Sequence, residues 1–174
     1  MEQKINNLVT IVNQLKRENI KYALGGSGLL YALGLVNHVN DWDITTEEFK
    51  KDIKGALSLF EVEEISSGNF PFASDYKLRI LENDQEIEII GSFSIHSSKG
   101  ICKIPLVITS EWRGISIGSP ESWYVAYKLM NREEKANLLY AFLKENTVNK
   151  HIVDMLLNQP LPKVIKDTLV ELTT

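Results

Sequence analysis

The sequence predicts an α+β fold, a mixed sheet flanked by helices and followed by a helical extension, and three observations carry that expectation. Segments of helical spacing alternate with segments of strand spacing in the first two thirds, whereas everything from Ser119 onward reads as helix. Four strand-like runs crowd between residues 60 and 108, separated by turn-forming clusters. At 174 residues and 44% hydrophobic content, the chain can bury one substantial core, or a small domain carrying an extension. The expected organisation is a domain over 1–118 with a C-terminal helical extension over 119–174 packed on it.

Each element has its own signal. Ile5, Leu8, Val9, Val12 and Leu15 make an amphipathic first helix. Ile20 to Leu24 form a short apolar run that ends at Gly25-Gly26, where residues without a Cβ let the backbone turn and approach a ligand. Ser27 opens a second helix through Leu29, Leu30 and Leu33, with Gly34 as its stop. Thr45 and Glu48 predict a capping box before a third helix lined by Phe49, Ile53, Ala56, Leu57 and Phe60. Strands are expected over 60–66, 76–82, 85–93 and 101–108, with Asn83-Asp84 as a hairpin turn and loops at 66–69 and 97–100. Ser119-Pro120-Glu121 supplies an N-cap, a proline in the first turn and an acid at the positive end of the next helix.

The chemistry concentrates in residues 24–44. At the start of the second helix, unpaired backbone amides and the positive dipole end favour a phosphate near Gly26 and Ser27. Asp41-Trp42-Asp43-Ile44 follows, and strand alternation puts both aspartates on one face with Trp42 and Ile44 turned to the core. Two carboxylates on one face suit Mg²⁺, which is held by one or two carboxylates together with substrate phosphates.

In this order, strand, Gly-Gly-Ser, helix and Asp-x-Asp strand, the chain resembles the nucleotidyltransferase superfamily that includes DNA polymerase beta. It is most similar to small bacterial members, among them antibiotic nucleotidyltransferases and nucleotidyltransferases of toxin-antitoxin pairs. The resemblance covers residues 20–91 directly and 118–139 more loosely. It implies a metal-dependent enzyme that moves a nucleoside monophosphate from an NTP to an acceptor hydroxyl and releases pyrophosphate. Gly25, Gly26 and Ser27 would hold phosphates, and Asp41, Asp43 and a third acid would hold Mg²⁺ or Mn²⁺. Two other readings stay open: a toxin or antitoxin acting on a partner protein or tRNA, and a non-catalytic nucleotide-binding module.

The third acid is Glu86 or Glu88, and Glu88 fits better, since it precedes Ile89-Ile90-Gly91 while Glu86 lies nearer the turn. The family more commonly has Asp there. Glu88 could equally pair with Arg79 across a hairpin, on a face that also carries Lys77. In the tail, Lys128, Arg132 and Lys135 fall at i, i+4 and i+7, a cationic stripe suited to a triphosphate or else a solvated face balanced by Glu133 and Glu134. Ser-Pro-Glu with a following Lys128-Leu129 resembles a helix whose lysine faces nucleotide in the small bacterial members, although Lys135-Ala136 stands where relatives often carry Lys-Asp.

Composition bounds the partners. With a net charge of −4 the chain is a poor generic binder of nucleic-acid backbone, so an NTP with a small acceptor or a protein partner is expected, and no long nucleic acid. The single Cys102 excludes an intramolecular disulfide and fits a reducing cytoplasm, and no apolar run reaches the length of a membrane span. His38, His96 and His151 lack metal-ligand spacing, and Trp112, Trp123, Tyr124 and Tyr127 read as core or interface anchors. For a general base, only His38 and Glu111 come into question.

Overall fold

A computed structural model describes residues 1–83 and 85–174, with Gln85 described by its backbone alone. The helix α1 (Glu2–Arg17) buries Ile5, Leu8, Ile11, Val12 and Leu15 on one face, as its spacing requires. The strand β1 (Tyr22–Leu24) leads into α2 (Gly26–Ala32), and β2 (Trp42–Thr46) follows, then α3 (Lys50–Ala56) and β3 (Val62–Ile65). A hairpin of β4 (Tyr76–Glu82) and β5 (Gln85–Gly91) comes next; its turn residue Asp84 lies outside the described residues. A small hairpin, β6 (Ser94–Ser97) with β7 (Gly100–Lys103), precedes β8 (Ile108–Trp112) and β9 (Ile115–Gly118). The helices α4 (Pro120–Leu129), α5 (Glu133–Glu145), α6 (Lys150–Leu157) and α7 (Lys163–Leu172) complete the chain.

The large sheet has seven strands in the order β3-β4-β5-β2-β1-β9-β8. Its neighbours are antiparallel except β2 with β5 and β1 with β9, which run parallel, so the sheet is mixed and the α+β expectation holds. One apolar cluster runs from α1 through Trp42, Ile44, Ile87 and Ile89 at the sheet centre to Trp123, Val125, Leu139 and Leu169 in the later helices. The start of α4 is pinned twice. Ser119 accepts the Ser122 amide at 3.0 Å, and the buried Glu121 carboxylate accepts the Ser119 hydroxyl and the Asn149 amide, each at 2.8 Å, tying α4 to the start of α6.

Three expectations change, and one strand comes without a signal. Thr45 does not cap α3: it stays in β2, its hydroxyl bonded to the Ala23 carbonyl, while the Thr46 hydroxyl accepts the Glu48 amide and shapes the turn. Phe49 sits at the N-cap of α3 and is exposed rather than on the buried face. The strand expected over 101–108 stops at Lys103, where Pro105 offers no N–H for a ladder, and pairing resumes at Ile108. The fully buried β9 gave no separate signal, being four residues long, yet it lies beside β1 at the sheet interior.

Candidate functional site

The candidate site grows out of the β2–β5 pairing. These strands run parallel with Asp43 aligned to Glu88, and residues aligned on neighbouring strands share a face, so the two carboxylates stand side by side. Asp41 lies one residue before β2 and turns to the same side. One ligand oxygen from each of Asp41, Asp43 and Glu88 lies within 4.8 Å of the other two. Trp42 and Ile44, the alternating residues, are fully buried.

The glycine pair is set against this cluster. Gly26 has φ +56°, and a Cβ there would lie 2.0 Å from Oδ2 of Asp43, so only glycine lets the chain turn at that carboxylate. A Cβ on Gly25 would fall 1.9 Å from the Trp123 ring, and the Gly25 amide bonds the Asp43 carbonyl at 2.8 Å. The short α2 that begins here has no side-chain cap, which leaves its first-turn amides to other acceptors.

Asp41, Asp43 and Glu88 line one cleft together with Gly26, Ser27, Lys77, Trp123, Tyr127, Arg132 and Lys135, around an inner volume of about 140 Å³. The far wall is made by the end of α4 and the start of α5. These helices are not continuous: Asn131 takes φ +56°, and Arg132 becomes the N-cap of α5. The break separates the expected stripe. Arg132 and Lys135 line the cleft, whereas Lys128 turns away and holds Glu133 at 2.7 Å and 2.9 Å. Lys135 lies over the Tyr127 ring, 5.6 Å from its centroid.

Charge is concentrated here. Burial, followed by the neighbouring charges of Asp41 and Glu88, raises the Asp43 carboxyl to about 7 in spite of Lys77 and Lys135. Burial also raises Glu88, opposed by its hydrogen bond and ion pair with Lys77. The Tyr127 phenol is buried and has no hydrogen-bond partner among the described residues; burial, with the Asp43 and Asp41 charges, pushes its ionisation upward, so it stays a donor. Three carboxylates are hard oxygen donors of the kind Mg²⁺ or Mn²⁺ prefers, and the unpartnered hydroxyl beside them is consistent with a site shaped for a ligand.

The hairpin register matches the sequence, with Arg79 opposite Glu88, but the pair expected there does not form. Both cations reach the diagonal acid instead, Lys77 to Glu88 and Arg79 to Glu86, because same-face residues two apart on adjacent strands come within reach of long side chains. His38 bonds Asn40 at 2.6 Å, Glu111 lies 3.7 Å from Lys16, and neither lines the cleft. Tyr127 and Trp123 are core residues, as their spacing indicates, and also cleft walls. Their position at i and i+4, after a Ser-Pro helix start, was the available signal.

Among solved structures, the chain is similar to a proposed nucleotidyltransferase of Thermotoga maritima. They share 25% identity, 84% of this chain and 96% of that one are covered, and the TM-score is 0.63. The solution structure of the antibiotic-resistance factor ANT(2'')-Ia is similar at 12% identity, covering 98% of this chain and 92% of that one, with a TM-score of 0.60. Its crystal structure in complex with adenylyl-2''-tobramycin is similar at 10% identity, covering 98% of each chain, with a TM-score of 0.56. These two likenesses are of fold alone. No protein-family model and no curated protein matches the chain. The protein has a nucleotidyltransferase-like fold.

Proposed function

We propose that the cleft transfers a nucleoside monophosphate from an NTP to an acceptor hydroxyl, with release of pyrophosphate. The observation that supports this best is the convergence of Asp41, Asp43 and Glu88 within 4.8 Å, against a glycine turn that only a residue without a Cβ can make. Asp41 and Asp43 would hold Mg²⁺ or Mn²⁺, with Glu88 closing the acidic cluster. When bound, such an ion neutralises charge developing at the reacting phosphorus and activates the attacking oxygen. The amides at Gly26 and Ser27 would take the terminal phosphates, and Arg132 and Lys135 would approach them from the opposite wall.

An inner volume of about 140 Å³ is well below the roughly 300–1,000 Å³ of pockets that enclose a whole ligand. The cleft therefore suits a triphosphate with its ion, leaving the nucleoside and acceptor toward the mouth. Rate enhancement would come from alignment and charge neutralisation rather than from a protein nucleophile. The adenylylated aminoglycoside bound to one structural neighbour makes a small polyhydroxylated amine the first acceptor to try.

Calorimetry with a non-hydrolysable NTP tests the reading, with and without Mg²⁺, on wild type and Asp41→Asn. Binding that needs both the ion and Asp41 is expected, followed by pyrophosphate release with a suitable acceptor. Binding independent of Mg²⁺ and of Asp41 would leave a nucleotide-binding module without the chemistry, and no NTP binding at all would remove the nucleotide.

A further inference from the structure

Lys77 and Glu88 meet on the diagonal of the β4–β5 hairpin, the ammonium against Oε2. The glutamate is buried and the lysine half-buried, their side chains 9% and 25% exposed. The other ion pairs on this sheet are partitioned away from them. Arg79 serves Glu86 and Glu63, and Lys50 and Lys54 serve Glu64, so among the described ion pairs Lys77 has Glu88 alone. Glu88 is aligned with Asp43 on the adjacent strand, so the ammonium stands at the edge of the carboxylate cluster and lines the same cleft. Its field reaches Asp43, whose carboxyl it draws downward against burial.

Three free carboxylates this close could clamp two divalent ions. Here one of the three is already engaged by a fixed positive charge. An ion seated on Glu88 would have to displace that ammonium and then remain beside it, and like charges repel strongly where water is scarce. Among the described ion pairs the aspartates have no such partner, and the buried Tyr127 hydroxyl, which has no hydrogen-bond partner among the described residues, lines the cleft with them. An ammonium has three donors; with one on Glu88, two stay available to phosphate oxygens.

We propose that Lys77 is a built-in cation of this site, holding Glu88 so that the chain takes one divalent ion, on Asp41 and Asp43, where three free carboxylates would take two. The proposal rests on the metal-dependent reading of the cleft. Lys77 then supplies the second positive charge from the protein itself, independent of ion concentration.

The test is a Mn²⁺ titration of the full chain without nucleotide, the free ion counted by electron paramagnetic resonance. Wild type is expected to saturate at one ion per chain. Lys77→Met, which frees Glu88, should saturate at two. Lys77→Met/Glu88→Gln, which removes both charges of the pair together, should keep one ion, with affinity within about twofold of wild type. Two ions on wild type, or a single ion on Lys77→Met, would overturn the proposal and leave the metal reading standing. The double variant provides an independent arm if Lys77→Met folds poorly with Glu88 freed: a loss of about tenfold or more would make Glu88 an ion ligand and overturn the proposal by itself. If neither wild type nor Lys77→Met binds Mn²⁺, the metal reading fails and the role of Lys77 fails with it.

Discussion

On the sheet wall of the cleft, Asp43 and Glu88 stand side by side because β2 and β5 run parallel with those residues in register; on the helical wall, Arg132 and Lys135 reach the cleft because the chain breaks between α4 and α5. The first arrangement follows from the period of two along a strand and the spacing of about 4.8 Å between strands. The second depends on a single left-handed residue, Asn131, which ends one helical phase and starts another. Side chains on a sheet are thus placed by pattern, whereas those across a helix break are placed by backbone conformation. The acid wall should therefore be rigid and intolerant, and the cationic wall more forgiving.

The sheet wall offers the largest effect. Asp43→Asn should abolish ion-dependent stabilisation and lower any nucleotide transfer by at least about two orders of magnitude. Without metal the same variant should be as stable as wild type or more so, since burial and two neighbouring carboxylates disfavour the charge it removes. The sign can be read from pH. The folded chain holds the Asp43 proton to about pH 7, against 3.8 for an ordinary aspartate, so between those limits the folded state binds more protons than the unfolded. Stability in the absence of divalent ions should therefore be full near pH 4 and fall as pH rises to about 7, by a few kcal/mol at order of magnitude. Denaturant titrations across that range should show the fall in wild type and a flatter limb in Asp43→Asn. An equal slope in both would place the titrating group elsewhere.

Gly26→Ala tests the same wall through the backbone. Its φ of +56° costs a non-glycine residue about 1–2 kcal/mol, and the new methyl would meet the Asp43 carboxylate at 2.0 Å. A modest drop in melting temperature with loss of ion binding is expected. A variant that binds the ion normally would mean that Asp43 swings aside without consequence, and the sheet wall is looser than its register implies.

How far the sequence carried the structure follows the same division. The β4 boundaries, the hairpin register that sets Arg79 opposite Glu88 and the inward Trp42 and Ile44 were legible, because alternation over several residues leaves one face for the core. The α+β class and the nucleotidyltransferase-like fold were legible too. The convergence of Asp41 with Asp43 could be expected from their spacing; that Glu88 joins them was implied by the resemblance alone, because the parallel β2–β5 pairing that brings it there is announced by no local pattern. The helical stripe misled because helical spacing was extended through Asn131, and Asn is one of the few residues that tolerate that left-handed turn. The Thr45–Glu48 signal misled because a threonine hydroxyl inside a sheet found a neighbouring carbonyl first.

The helical wall should show smaller, separable effects. Arg132→Ala should weaken a non-hydrolysable NTP by roughly tenfold, or about 1.4 kcal/mol, and Lys135→Ala comparably, because both line the cleft. Lys128→Ala should stay within about twofold, since that ammonium faces Glu133 outside it. Calorimetry on the three variants decides the matter. A loss for Lys128→Ala equal to that for Arg132→Ala would mean that the junction of α4 and α5 rearranges on binding, so that the stripe is rebuilt in the complex.

Tyr127→Phe should give the smallest effect and tests whether the two walls touch. The phenol hydroxyl is buried on α4 and has no partner among the described residues, while Asp43 across the cleft is near enough for its charge to raise the phenol's ionisation. A buried hydroxyl without a partner carries its desolvation cost uncompensated, so replacing it by hydrogen in an otherwise isosteric ring should leave the ion-free protein unchanged or raise its stability by up to about 1 kcal/mol. For a chain of this length that corresponds to roughly 2–4 °C in melting temperature. A decrease of the same size would show that the hydroxyl does find an acceptor, and the carboxylate of Asp43 is the group whose charge it feels most. The helical wall would then be tied to the sheet wall by a hydrogen bond, and its tolerance of substitution would end at that residue.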